Sequence, residues 1–394
     1  MKRSLTLRLS DEFIAAVLDQ QKVIGTPHGI YRYPARFSPA FARAAILAFT
    51  EPGDLVLDPF CGGGTSVAEA IAVGRRAAGI DISSLAAFLT RTKTTPLSIH
   101  DAQEIREWAA RAAAYSRGAA TKSIFRTRYR RNVPRNLLEF FDRVLSQLAA
   151  LRNTRQRNFV RLVLLDTGQW ALDCKAEVPT SQQVRDEFQK RLGSTLEQFR
   201  AFLTGAAALH KVPRCQLARM RRVVARSCAG SEIDNRIPNR WLPAKLVLTS
   251  PPYAGVHVLY HRWQIQCRRE SPLPFWIANQ NDGSGESHYT FGSRSQIGLK
   301  TYFATLLSTF ASIRKLVDED SLIVQLVGFS HPEWQFPKYL EKMEEAGFRE
   351  VTTECNKRYL FQGRIWRSVP SRRWYATNST AKSSHEVLLF HRIR

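Results

Sequence analysis

The sequence predicts an α/β protein: a doubly wound parallel sheet carrying a helical insertion. Three observations lead there. Short apolar runs at residues 55–57, 76–80 and 246–248 each stop at a polar residue (Asp58, Asp81 and Thr249), as buried parallel strands do. The first run passes through a glycine-rich turn into a helical pattern, the strand–turn–helix of a ligand-binding α/β unit. Between the second and third runs, residues 96–220 read as largely helical.

Composition limits the function classes. With 394 residues, 44% of them hydrophobic, the chain can bury a large core. Its net charge of +24 is spread along the chain, not gathered in a tail, and points to a polyanionic partner, most simply nucleic acid. No apolar run is long enough to span a bilayer, and Met1-Lys2-Arg3 does not open a signal peptide, so a cytoplasmic protein with no membrane partner is expected. The cysteines are scattered, without a C-x-x-C or paired histidines nearby, so neither a disulfide framework nor a metal site is expected.

Within residues 1–25, Ser10-Asp11-Glu12 starts a short amphipathic helix built on Phe13, Ile14, Val17 and Leu18. The aromatic, proline-punctuated stretch 29–39 (Tyr31, Tyr33, Phe37, Ser38) reads as an ordered loop, followed by a helix bearing Phe41, Ala45 and Leu47. The strand at 55–57 then meets Asp58. Gly62, Gly63 and Gly64 let the backbone bend sharply and approach a ligand, and the helix from Thr65 offers free N–H groups at its start. Asp81 follows about 20 residues after the glycines, where an α/β nucleoside site puts the carboxylate that holds ribose hydroxyls. Val67 stands where a third glycine of the dinucleotide fingerprint would be, and no G-K-[ST] follows, so the site suits a nucleoside without a phosphate chain.

The insertion reads as helices at 101–115, 137–151, 159–172 and 184–203. It is rich in arginine: Arg126, Arg128, Arg130, Arg131 and Arg135, with Phe125 and Tyr129 among them, then Arg152, Arg155, Arg157 and Arg161. Such a segment suits phosphate contacts and base stacking, although charge runs are ordinarily solvated helix faces. A strand at 222–228 and a polar loop with Glu232 and Asp234 come next.

The run at 246–248 ends in Thr249-Ser250-Pro251-Pro252-Tyr253, where the prolines stop the strand. The turn offers Ser250 Oγ, two backbone carbonyls and the Tyr253 ring at the carboxyl end of a strand, where open α/β sheets bind ligands. A planar base stacked on Tyr253 could donate from its exocyclic amine to the serine oxygen and a carbonyl, which would sharpen that amine as a nucleophile. The alternative is a structural Pro-Pro turn with a core tyrosine. The long loop after it (His257, Tyr260, His261, Arg262, Trp263, Arg268, Arg269, then the glycine-rich 281–286) reads as a lid or recognition element. A helix at 302–316, a strand at 322–327, a helix at 337–346 and a return toward a strand at Gly347-Phe348 follow. Arg364, Trp366, Arg367, Arg372, Arg373, Trp374 and Tyr375 form a second basic-aromatic patch, either a DNA-backbone surface or a hairpin capping the sheet, before a last strand at 386–390.

Asp58-Pro-Phe-Cys-Gly-Gly-Gly-Thr65 resembles the first motif of S-adenosylmethionine-dependent amino-methyltransferases, and Thr249-Ser-Pro-Pro-Tyr253 resembles their catalytic motif. The serine form is similar to that of DNA cytosine-N4 methyltransferases; adenine-N6 enzymes more often carry D-P-P-Y. The resemblance spans roughly residues 26–95 and 220–394. It implies a Rossmann-like class I methyltransferase core, with a cofactor half at 1–95 and a catalytic half at 221–394; the basic helical insertion at 96–220 between them lies outside the resemblance and is expected, from its arginines, to contact DNA. S-adenosyl-L-methionine would be lined by Asp58, Phe60, Gly62 and Gly64, with Asp81 on its ribose. Thr65, Tyr33, Phe37 and Ser38 would lie near its methionine end, and Cys61 would only pack. Ser250, Pro251, Pro252 and Tyr253 would hold a base flipped from duplex DNA, with Arg126, Arg128, Arg130, Arg131, Arg262, Arg268, Arg269, Arg372 and Arg373 toward the DNA. The implied activity is methylation of cytosine N4 in DNA, with a cognate restriction endonuclease as a partner. The alternatives are adenine-N6 methylation, methylation of a guanine amine in RNA, and a non-catalytic DNA-binding subunit with a vestigial methylase fold.

Overall fold

Strand order decides where this fold can bind a ligand. The computed structural model describes every residue except 1–5, 20, 22, 24, 34–37, 115–127, 255–261, 284–288, 290, 294, 355–359 and 369–384. The strands are β1 (Thr6–Arg8), β2 (Leu55–Asp58), β3 (Arg76–Asp81), β4 (Arg221–Ala225), β5 (Leu246–Thr249), β6 (Trp263–Ile265), β7 (Arg269–Ser271), β8 (Leu322–Gly328), β9 (Phe348–Glu354), β10 (Leu360–Phe361), β11 (Arg364–Ser368) and β12 (His385–Ile393). The α-helices are α1 (Asp11–Leu18), α2 (Pro39–Phe49), α3 (Thr65–Ala72), α4 (Ser84–Lys93), α5 (Ile99–Ala114), α6 (Arg135–Gln147), α7 (Thr154–Leu172), α8 (Ser181–Leu209), α9 (Leu273–Ala278), α10 (Gln296–Arg314) and α11 (Pro332–Glu345).

The main sheet runs β4-β3-β2-β5-β8-β12-β9-β1. Its neighbours are parallel except those of β12, which runs antiparallel between β8 and β9 and also pairs with β11. From β2 the chain builds outward to β3 and β4, then returns to add β5 and β8 on the other side. The order therefore reverses between β2 and β5, and open α/β sheets bind ligands outside the carboxyl ends of strands at such a switch point. This is the doubly wound, Rossmann-like core expected from the sequence. β2 and β5 are buried along their whole length because helices cover both faces.

One apolar core lies on each face of the sheet. The first joins α1–α4 to the inserted helices; the second packs α10 and α11 against β8, β9 and β12. Helices α5–α8 lie between β3 and β4 and share the first core with the sheet through residues such as Phe159, Leu162 and Leu196. The β6–β7 hairpin also packs on these helices: Trp263 of β6 is pressed onto Gly168 of α7, where an added Cβ would lie 2.5 Å from the indole. No helix among the described residues is long and apolar enough to cross a membrane.

Several elements differ from the sequence reading. The N-terminal helix is confined to α1, where Ser10 caps Phe13 N at 3.2 Å, and the residues before it form β1, an edge strand on β9. The long loop contains the hairpin β6–β7, and α11 starts at Pro332, with Pro337 tolerated inside it. The patch at Arg364, Trp366 and Arg367 is strand β11, paired between β10 and β12, so the capping-hairpin reading holds for these three residues. Arg372, Arg373, Trp374 and Tyr375 lie outside the described residues.

Helix propensity alone would favour Gly168→Ala by roughly 1 kcal/mol. The indole contact reverses the sign: we expect a destabilisation of ~1–3 kcal/mol from overpacking, measured by urea denaturation. A stabilised variant would show that α7 does not bear on β6.

Candidate active site

The two motifs meet through one carboxylate. Asp58, at the end of β2, is 2% exposed. Its Oδ1 accepts from Thr249 Oγ1 of β5 at 2.8 Å and from Phe60 N at 3.1 Å, and its Oδ2 accepts a short bond from Ser66 Oγ of α3. Burial pushes its pKa up to about 6, and these three donors hold it down from going further. Asp58 is expected from the sequence on the cofactor wall; in the structure its carboxylate is turned inward and ties β2, α3 and β5 together.

The glycine turn folds over Asp81. Gly62 N donates to Asp81 Oδ2 and Ser83 N to Oδ1, both at 2.8 Å. Asp81 is only partly covered, and burial pushes its pKa up to about 6, helped by the nearby Asp58. Gly62 and Gly64 have positive φ (48° and 82°), and a Cβ on Gly63 would lie 2.8 Å from Tyr33 Cβ, so Tyr33 packs on the turn itself. The third glycine absent at Val67 is supplied from the strand side: a Cβ on Gly79 would meet Val67 at 2.8 Å and Cys61 Sγ at 3.0 Å. Cys61 is buried there with its thiol pushed well up, a packing residue.

The Tyr33 loop is braced by the insertion. Tyr31 N donates to Asp166 at 2.9 Å, and Gln169 exchanges two bonds with the Arg32 backbone, at 2.7 and 3.0 Å. Ser38, expected near the cofactor, caps α2 through Ala40 N and donates to Asp19 at 2.8 Å. Phe37 lies outside the described residues. Thr65 is buried at the first position of α3, and Phe60 is half-buried with its ring 5.3 Å from that of Phe291.

The Ser250–Tyr253 turn sits beside this. Pro251 is buried, and Tyr302 of α10 donates to the Pro252 carbonyl at 2.7 Å. The Tyr253 ring lies against Gly328 of β8, where a Cβ would come within 2.7 Å. Ser250 Oγ donates to Tyr253 OH at 3.3 Å, and Tyr253 OH donates to Glu386 Oε1 at 2.6 Å. Glu386 Oε2 accepts two bonds from Arg367, at 3.0 and 2.8 Å, and Arg367 also donates to the Val17 carbonyl at 2.6 Å. Neither Glu386 nor Arg367 is among the expected site residues. Their signal was an acidic residue leading an apolar strand, with a basic one at the end of the strand before it.

Residues 11–87 match the N6/N4 methyltransferase family described as DNA methylase. Over 106 residues, 27% of the chain, the sequence is 26% identical to type II methyltransferase M.MjaII of Methanocaldococcus jannaschii and covers 19% of that protein. Over 52 residues, 13% of the chain, it is 48% identical to DNA adenine methyltransferase YhdJ of Escherichia coli and covers 18% of it. The matched stretches thus span less than one fifth of either relative. Among solved structures, the rRNA methyltransferase aviRa of Streptomyces viridochromogenes overlaps 75% of this chain and 77% of its own at 10% identity, with a TM-score of 0.25. The family and sequence matches support an amino-methyltransferase.

The basic residues divide into two groups. Arg130 pairs with Asp142 and lies over the Trp276 ring, and Arg262 pairs with Glu270 and Asp282, so these two are held in ion pairs and are only partly exposed. Arg128, Arg131, Arg268 and Arg269 are exposed. Asn132 donates to the Glu270 carbonyl at 2.8 Å, which brings the two exposed sets together. Tyr129 OH accepts from Asp282 N, and Ser84 donates to the Asn281 carbonyl at 2.6 Å, so this basic ridge connects to the start of α4, just past Asp81. Arg126, Phe125, His257, Tyr260 and His261 lie outside the described residues. Asp234 is taken up by Arg226 and Arg236, which hold its carboxyl well below the usual range.

Thr249→Val removes one donor from Asp58 and should cost ~1–3 kcal/mol of stability. Asp58 carries a raised folded pKa, and losing a donor raises it more. The cost should therefore be largest above pH ~7 and shrink as the pH falls through about 6 and Asp58 takes up a proton. Equal destabilisation at both ends of that range would contradict this role for Thr249.

Proposed function

We propose that this chain methylates an exocyclic amine of a base in DNA, with cytosine N4 as the acceptor and S-adenosyl-L-methionine as the donor. The Thr249–Asp58 bond carries the reading. It joins the glycine turn to the Ser250–Tyr253 turn at the switch point, which supports a nucleoside and a base held side by side there.

The residues suit that cofactor. Asp81 is a partly exposed acceptor at the end of β3, fit for ribose hydroxyls, and the glycine turn is held over it by Tyr33 and Thr90, which fill the space where side chains on Gly62, Gly63 and Gly64 would lie. Half-buried Phe60 offers ring surface along the same wall, with Gly62, Gly64 and Thr65 beside it and Tyr33 buried behind the turn. When bound, the cofactor supplies an electrophilic methyl group. The chain holds the amine that receives it: Tyr253 stacks the flipped base, and Ser250 Oγ and the Pro251 carbonyl accept its N–H groups. The exposed arginines and the inserted helices take the DNA backbone.

The Ser-Pro-Pro-Tyr form favours cytosine. The 48% identical stretch shared with an enzyme named as a DNA adenine methyltransferase favours adenine N6 as the second reading. Labelled methyl transfer to unmethylated genomic DNA, followed by nucleoside analysis, separates them. We expect N4-methylcytosine. N6-methyladenine would change the target and keep the mechanism; label in RNA alone, or none, would refute the proposal.

Tyr253→Ala should lose base stacking of order 1–3 kcal/mol, read as a fall in kcat/KM. Asp81→Ala should weaken cofactor binding. Because burial raises Asp81 to about 6, affinity should be full above that value and fall as the pH drops through it. Calorimetric titrations that stay flat between pH ~8 and ~5, or wild-type affinity in Asp81→Ala, would remove Asp81 from the site.

A further inference from the structure

A serine at the head of the catalytic turn poses a problem that an aspartate would not. A carboxylate only accepts hydrogen bonds, whereas a hydroxyl can turn its own proton toward the incoming amine and oppose it. Something has to fix which way the Ser250 hydroxyl points.

The bonds beneath Ser250 do this. Ser250 Oγ donates to Tyr253 OH, Tyr253 OH donates to Glu386 Oε1, and Arg367 holds Glu386 Oε2 through two bonds. Glu386 is fully buried and Arg367 is 8% exposed, so the pair cannot swing out to water. The β-ladder sets it in place: Glu386 lies opposite Gly328 on one side and Arg367 on the other, and Gly328 is the residue the Tyr253 ring packs on. With a carboxylate that only accepts at the base of the chain, each hydroxyl above it must donate downward. The Ser250 lone pairs are then left facing away from Tyr253. The 3.3 Å Ser250–Tyr253 distance is long for a hydroxyl bond and leaves room to tighten once a substrate amine draws on Oγ.

We infer that Glu386 is a positioning residue that acts through Tyr253 to hold Ser250 as a hydrogen-bond acceptor toward the target amine. This rests on the proposed methyl transfer. Glu386 touches neither substrate nor cofactor in this scheme, and Arg367 serves to orient it.

The test is Glu386→Gln. Arg367 would claim the amide oxygen, the amide N–H would donate to Tyr253 OH, and the chain would reverse, turning the Ser250 proton toward the amine. We expect kcat to fall about tenfold or more with the cofactor Kd unchanged. In a Tyr253→Phe background the same substitution should have no further effect on kcat, since the relay is already cut. A purely structural role would leave the two effects independent. If Glu386→Gln does not fold, Tyr253→Phe decides by itself, because it keeps the ring and the Arg367 pair and removes only the phenol oxygen. It should lower kcat and spare cofactor binding. Wild-type kcat in either variant, or an undiminished Glu386→Gln effect in the Tyr253→Phe background, would overturn the inference with the functional reading intact. A wild-type chain that methylates nothing overturns both.

Discussion

The site depends on the Asp58 carboxylate. It is buried at the carboxyl end of β2, and its donors come from three separate pieces of chain: the glycine turn, α3 and β5. A buried carboxylate is costly unless its lone pairs are filled, so each donor is held to its place by the same requirement. Burial still leaves the group with a pKa near 6, well above an ordinary aspartate, so the arrangement keeps some of that cost. The result is a fixed distance between the turn that closes over Asp81 and the turn that carries Ser250. In the proposed reaction, nucleoside and base come together only if those two turns keep their spacing.

The helical insertion supports the site from outside the sheet. Asp166 and Gln169 of α7 grip the backbone of Tyr31 and Arg32, and so steady the Tyr33 ring on the glycine turn. The same region carries Arg128 and Arg131 on the exposed ridge. Brace and ridge belong to one packed body, since α7 also bears on Trp263 of the hairpin next to Arg268 and Arg269. In the proposed reaction, a duplex drawn to the ridge would meet a surface coupled mechanically to the Tyr33 loop.

Much of this was legible in the sequence because the signals are local. The glycine turn, Asp81 and the Ser-Pro-Pro-Tyr turn each lie within a few residues of the strand that positions them, and strand ends were marked by the polar residue that stops them. What could not be read depends on distant partners. Tyr253 and Glu386 are 133 positions apart, and no local pattern links them. Arg130 and Arg262 look like free cations until Asp142, Glu270 and Asp282 fold against them. Ser38 sits in a stretch that resembles a cofactor loop, but its hydroxyl is used by the start of α2 and by Asp19. Val67 looked like a defect in a glycine fingerprint; the compensating glycine is on β3, at Gly79.

The most direct test is a crystal structure with S-adenosylhomocysteine. We expect the ribose hydroxyls on Asp81, the amino-acid tail running past Gly62 and Thr65 toward Tyr33, and the sulfur facing the Ser250–Tyr253 turn, with the Asp58–Thr249 bond unchanged. A nucleoside bound away from Asp81, or a sulfur pointing away from Ser250, would contradict the proposed site.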